Sequence, residues 1–317
     1  MIWLKFTFTA FVVVLFCISL SKYADELAAA KRIGKGFVGF VLLGFITSIP
    51  ELISTVSSTV YLNNPVLGTA NIIGSNNANM FILFLSFIMA ESLRRPSGKV
   101  DVESGTSLGY CFIITTVFIL GVFFSGHPFY GRSLFVYLVF ILFILSVIAL
   151  YKANPSVEDE GQVEALGFFF YCKLIFFAAG LVVSSFYLSV VVNEIGTTTS
   201  IGSAMAGAIF LAWATSLPEL VVTISSVIRG SVEMGIGNIL GSNIFNMAVL
   251  ALAETVSFSR ISVFDRNDGI MIFGVFQCVL LGILLILLMQ EKLRRVGKIA
   301  IMPLFAMILY CIGVSLL

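Results

Sequence analysis

Apolar residues run along this chain in long blocks. Ten of them, at residues 2–21, 36–62, 65–91, 106–125, 131–152, 166–192, 202–228, 231–256, 268–290 and 297–317, are separated by short polar connections. A helix needs about 20 such residues to cross a bilayer core. The pattern therefore predicts an all-α integral membrane protein with ten transmembrane helices. The longest polar connection, 154–165 with its acidic run Glu158, Asp159 and Glu160, is too small to fold as a domain.

Composition agrees. Of 317 residues, 59% are hydrophobic and 11% charged, and the mean hydropathy is +1.08, whereas about one quarter of the residues of a soluble domain carry charge. A formal charge of +1, with no basic block beside interleaved aromatics, argues against a nucleic-acid partner. Cys17, Cys111, Cys172, Cys278 and Cys311 fall inside apolar blocks without metal-ligand spacing and read as filler. No cofactor and no protein partner is indicated. The first block is read as a retained span rather than a cleaved leader, because residues from Ile33 onward belong to a repeat described below.

Basic residues orient the chain. If every block spans, one face receives Lys22, Lys31, Arg32, Lys35, Arg94, Arg95, Lys99, Lys152, Arg229, Lys292, Arg294, Arg295 and Lys298. The other receives only Lys5, Arg132, Arg260 and Arg266. The positive-inside rule makes the first face cytoplasmic. Both termini of this multi-pass protein of the cell membrane are then expected outside.

The strongest signal is internal. Thr47-Ser48-Ile49-Pro50-Glu51 returns as Thr215-Ser216-Leu217-Pro218-Glu219, and Gly74-Ser75-Asn76 with Asn79-Met80 returns as Gly241-Ser242-Asn243 with Asn246-Met247. The flanks align too: Ile33, Gly34, Gly39 and Leu43 with Ile201, Gly202, Gly207 and Leu211, and Asn71 with Asn238. Each copy occupies the second and third spans of a five-span half. An odd number of spans inverts the second half relative to the first, and such repeats build a site near the midplane from interrupted helices. The expected units are residues 1–153, a cytoplasmic linker 154–165, and residues 166–317. Pro50 and Pro218 are the expected breaks, with Gly74 and Gly241 loosening the partner helices.

Glu51 and Glu219 carry the chemistry. A carboxylate deep in a span costs several kcal/mol and normally faces a pathway or a partner, and no Lys, Arg or His lies near either motif; the single histidine is His127. A cation is the natural missing charge. The motifs add hydroxyls of Thr47, Ser48, Ser75, Thr215, Ser216 and Ser242 and the amide oxygens of Asn79 and Asn246, all oxygen, as calcium and other hard cations require. Softer metals prefer Cys or His. Asn71, Asn76, Asn238 and Asn243 suit helix capping as well as binding. Asn77 has no counterpart, since position 244 is Ile, and reads as local. Glu91 and Glu254 read as interface charges, and Glu194 and Glu233 as residues of turns.

The pair TSIPE…GSNNAN and TSLPE…GSNIFN resembles the two alpha-repeats of the cation/calcium exchanger superfamily, especially its prokaryotic sodium/calcium exchanger branch. The resemblance covers nearly the whole chain and is strongest over residues 33–80 and 201–247. It implies ten helices, four of them a central diamond, with two long helices near 2–30 and 166–195 sliding across it in alternating access. It implies that Glu51 and Glu219, helped by Thr47, Ser48, Thr215 and Ser216, bind calcium and share sodium sites, and that Ser75, Asn79, Ser242 and Asn246 complete them. The carbonyls of Gly44 and Ala212 are weaker carry-overs. Ile46 and Ala214 stand where the family usually has Gly before Thr-Ser. Asn246 stands where potassium-dependent relatives have Asp, which disfavours potassium coupling. The acidic motif frequent in proton/calcium exchangers is not found.

The expected function is thus antiport of calcium against sodium, with a proton/calcium antiporter on the same glutamates as the alternative. The expected partners are calcium and sodium ions and membrane lipid. An intramembrane hydrolase would need Ser/His, Asp/Asp or HExxH groups that the motifs lack, so no enzyme is expected.

Overall fold

A backbone surrounded by hydrocarbon must satisfy its own hydrogen bonds, and among the described residues every regular element of this computed structural model is helical. The description covers residues 1–30, 44–93, 102–124, 132–153, 166–230, 232–257, 262–265 and 267–289, with Ile308 and Ile312. The elements are α1 (Ile2–Ala30), α2 (Gly44–Thr47), α3 (Ile49–Val56), α4 (Pro65–Ser92), α5 (Val102–Phe123), α6 (Arg132–Ala153), α7 (Phe168–Thr198), α8 (Ser203–Met205), α9 (Ala212–Ile228), α10 (Val232–Val256) and α11 (Asp268–Met289). Wide π-helical turns follow α3 at Ser57–Tyr61 and precede α9 at Ala206–Leu211.

Among the described residues, seven helical segments are long and apolar enough to cross a membrane: Ile2–Leu20, Pro65–Ala90, Gly105–Phe123, Phe168–Thr198, Ser203–Ile228, Met234–Val256 and Asp268–Leu285. Leu134–Leu150 is a shorter apolar helix. Of the tenth apolar block only Ile308 and Ile312 are described, both helical. The linker 154–165, the repeat flank Ile33 to Leu43, His127, Cys311 and most of the basic residues used for orientation lie outside the described residues.

Two apolar clusters hold the helices together. The larger draws Phe84, Phe118, Met247, Phe264 and Phe273 from α4, α5, α10, the turn before α11, and α11. The smaller joins α1 to α7 and α9 through Val13, Cys17, Leu181, Leu188 and Ala214. The two long helices, α1 and α7, lie against each other, with Phe16 and Tyr23 edge-on or stacked against Phe176, Phe177 and Phe170. Large apolar side chains also cover the outside, as Tyr137, Ile141, Ile144 and Ile148 do on α6. A soluble monomer rarely exposes so much; a lipid-facing surface does.

The interruptions differ from the sequence expectation. In the first repeat the helix breaks at Ser48 (φ −89°, ψ 5°), and Pro50 becomes the second residue of the new helix α3, where a missing N–H costs nothing. The Ile46 carbonyl, four residues before Pro50, is reached instead by the Cys17 thiol of α1 at 3.8 Å. Pro218 sits inside the continuous α9, and α4 and α10 run unbroken through Gly74 and Gly241. Those glycines permit close approach rather than loosening. A Cβ on Gly74 would lie 2.6 Å from the Ala208 carbonyl oxygen, and one on Gly44 would lie 3.2 Å from the carbonyl carbon of Gly241.

Candidate cation site

The helix that carries Glu51 and the one that carries Glu219 each pack against α4 and α10, which brings both motifs of both repeats together. Thr47, Ser48, Glu51, Ser75, Asn79, Thr215, Ser216, Glu219, Ser242 and Asn246 are all at most 1% exposed. All ten predicted side chains are therefore buried on these packed helices.

Their side-chain hydrogen bonds between the two repeats come in matched pairs. Ser48 donates to Glu219 Oε1 at 3.5 Å, and Ser216 donates to Glu51 Oε1 at 3.3 Å. Ser48 is free to do so because it makes no side-chain cap to its own helix. Thr47 donates to Asn238 Oδ1 (3.3 Å) and lies 3.2 Å from Ser242 Oγ. Thr215 donates to Asn71 Oδ1 (3.4 Å) and lies 3.4 Å from Ser75 Oγ. Asn71 and Asn238 are oriented in turn by donating to Thr55 at 3.0 Å and Thr223 at 3.1 Å.

Four oxygen atoms are left over. Glu51 Oε2, Glu219 Oε2, Asn79 Oδ1 and Asn246 Oδ1 are buried and receive no hydrogen bond from the protein. Buried acceptors normally have partners, and leaving one without costs roughly 1–3 kcal/mol, more for a charged group. Two carboxylates and two amide carbonyls, with hydroxyls around them, form a hard-oxygen donor set. Among the described residues no three His, Cys, Asp or Glu side chains gather into a metal cluster, so a cation here would rely on amides and hydroxyls as well as charge. The carbonyls of Gly44 and Ala212 face the cluster but are engaged. Gly44 accepts from Ser48 N (3.2 Å) and Ser242 Oγ (3.3 Å), and Ala212 from Thr215 Oγ1 (3.2 Å) and Ser75 Oγ (3.4 Å).

Other assignments shift. Asn71 and Asn238 orient threonines rather than cap helices. Asn77 bonds Ile73 in its own helix (2.9 Å) and also reaches Phe273 of α11 (3.3 Å). Glu254 accepts from Ser262 Oγ (2.7 Å) and Val263 N (3.0 Å), tying the end of α10 to these two residues. Glu194 lies in the last turns of α7, not in a connecting turn, and pairs with Lys5 at 3.6 Å. Glu233 belongs to α10, and the side chains of Glu91 and Glu233 are outside the described set. Sequence reading passed over Thr55 and Thr223, although their matched places after the two glutamates mark them as a pair.

Comparison with known proteins follows the same lines. Curated relatives include the putative antiporter CaxA of Alkalimonas amylolytica, 25% identical over 289 residues (87% of this chain, 86% of that protein). The sodium/calcium exchanger MaX1 of Methanosarcina acetivorans is 22% identical over 269 residues, 72% of this chain and 75% of that one. Among solved structures, the sodium-calcium exchanger NCX_Mj soaked with Na+ and Sr2+ superimposes with a TM-score of 0.66 at 20% identity, covering 99% of both chains, which shows a shared fold. The profile of the family described as sodium/calcium exchanger protein matches residues 1–149 and 169–314. With nearly its whole length matched and two glutamate motifs packed into one buried oxygen cluster, the chain belongs to the sodium/calcium exchanger protein family.

Proposed function

We propose that this protein exchanges calcium for sodium across a membrane by alternating access, with Glu51 and Glu219 as the charged centre of the site. Thr47, Ser48, Ser75, Asn79, Thr215, Ser216, Ser242 and Asn246 complete it, and the Gly44 and Ala212 carbonyls join once their hydroxyl donors turn away. The observation that carries this reading is the set of four buried oxygens without donors, one from each of Glu51, Asn79, Glu219 and Asn246. The paired hydrogen bonds between the motifs fit two related halves, residues 1–153 and 166–317, joined by the linker 154–165. The ten apolar blocks support two inverted five-helix repeats in a ten-span layout, and the distribution of basic residues supports both termini outside.

The mechanism follows from charge. Two carboxylates carry minus two, which one calcium ion or several sodium ions neutralise, so the two loads compete for the same oxygens. Empty, the pair resists passage through a water-poor occluded state, because uncompensated charge is costly there. Loaded, it passes. Obligatory exchange results without any further coupling device. A relative named as a sodium/calcium exchanger favours sodium as the counter-ion.

The test is calcium-45 uptake into proteoliposomes loaded with sodium, compared with potassium or choline, at one fixed pH. Uptake that needs internal sodium and vanishes in Glu219→Gln is the expected result. Uptake that ignores sodium and follows an imposed pH gradient selects the proton/calcium antiporter at the same glutamates. Near-normal flux in Glu219→Gln overturns the site.

A further inference from the structure

An asparagine amide has two ends of nearly equal size but opposite chemistry: the oxygen accepts, the nitrogen carries two donor hydrogens. Asn79 and Asn246 serve a cation only with their oxygens turned toward it. The groups that fix this choice come from the opposite repeat. Asn246 Nδ2 donates to Asn76 Oδ1 at 2.9 Å, and Asn79 Nδ2 donates to Asn243 Oδ1 at 2.9 Å. Both anchors are completely buried, and both bonds leave the far oxygen of the amide without a donor.

We infer that Asn76 and Asn243 are positioning residues, a crossed pair of amide anchors that turns the carbonyl oxygens of Asn246 and Asn79 toward the transported cation and thereby sets its affinity. The inference rests on the proposed cation site. The two anchors are not equivalent. Asn76 is itself held, its Nδ2 donating to the main-chain oxygen of Asn243 at 3.3 Å. The Nδ2 of Asn243 has no hydrogen-bond partner, with the Cys111 thiol of α5 beside it. Replacing Asn243 by leucine, its apolar shape analogue, therefore removes the anchor for Asn79 and, besides it, only the contact with the Cys111 thiol. The Asn79 amide, losing its acceptor, is no longer held with its oxygen free for the ion.

The experiment is calcium-45 equilibrium binding to purified full-length protein, with Asn243→Leu, Asn76→Leu and, as control, Asn77→Leu. Asn77 is a buried amide on the same helix as Asn76 whose bonds lead away from the site, to Ile73 and Phe273. Loss of one buried amide lowers the melting temperature in all three. Calcium affinity, however, is expected to fall about tenfold or more in Asn243→Leu and Asn76→Leu and to stay within about threefold in Asn77→Leu. Where the leucine variant is not recovered, Asn243→Ala gives the same reading. Asn243→Leu binding calcium as Asn77→Leu does would overturn the inference with the site reading intact. A wild-type protein that binds no calcium, or a Glu219→Gln variant that binds it normally, overturns the site reading and the inference with it.

Discussion

Ser48 and Glu219, 171 residues apart in the chain, meet in the buried centre of the molecule, where the serine hydroxyl donates to Glu219 Oε1 across 3.5 Å. Ser216 makes the reciprocal bond to Glu51 at 3.3 Å. Each carboxylate is thus steadied by the residue that precedes the other repeat's Ile-Pro or Leu-Pro step.

The reciprocity gives a first prediction. A hydrogen bond to a charged group contributes about 1.5–3 kcal/mol, and these two are long, so the lower end applies. Ser48→Ala and Ser216→Ala should each weaken apparent calcium affinity by roughly tenfold, measured from the concentration dependence of sodium-driven calcium-45 uptake. A normal affinity in either variant contradicts the reciprocal arrangement.

Glu51 should be as indispensable as Glu219. Glu51→Gln keeps shape and burial but halves the charge of the site, and calcium exchange should fall at least about 100-fold, the equivalent of roughly 2.7 kcal/mol. Uptake above a tenth of the wild-type rate would show that one carboxylate suffices.

Calcium should stabilise the folded protein through the same oxygens. A ligand at 100 times its dissociation constant adds about 2.7 kcal/mol, which raises the melting temperature of the purified wild type by several degrees. Glu219→Gln should show no calcium-dependent rise. A rise of equal size in the variant would place the calcium elsewhere.

Close packing beside the site is testable independently of ions. A Cβ on Gly74 meets the Ala208 carbonyl oxygen at 2.6 Å and the Ala208 Cα at 2.7 Å, whereas one on Gly105 meets nothing within 4 Å. Backbone atoms yield poorly, so Gly74→Ala should cost about 1–3 kcal/mol. Gly105→Ala should be neutral or stabilising by up to about 1 kcal/mol. Thermal unfolding in detergent distinguishes them, and equal melting temperatures would contradict the packing described here.

The repeat made the centre of the molecule readable from sequence. Glu51, Glu219 and the hydroxyls and amides around them were singled out because unpaired charge and duplicated polar groups stand out against an apolar background. What sequence could not assign was direction. Asn76 and Asn243 suit capping helices as well as serving a site, since an amide's role depends on which neighbour it meets, and the amides that donate to their oxygens lie more than 160 residues away. The helix break was misplaced for a related reason. Proline was expected to mark it, but proline fits without cost in a first helical turn, and the chain bends at Ser48, just before α3, to give Pro50 that place. Gly74 and Gly241 were read as loosening their helices because spacing reveals a small residue and not the backbone lying against it.

The crosswise wiring of the centre has a consequence for how such a protein can vary. Each carboxylate takes its hydroxyl, and each amide its anchor, from the other half of the chain. Neither half owns a complete working set. A change to Ser48 is felt at Glu219, and a change to Asn243 at Asn79, so the heritable unit is a couple drawn from both halves. At the centre, a substitution in one half is offset only by a matching one in the other.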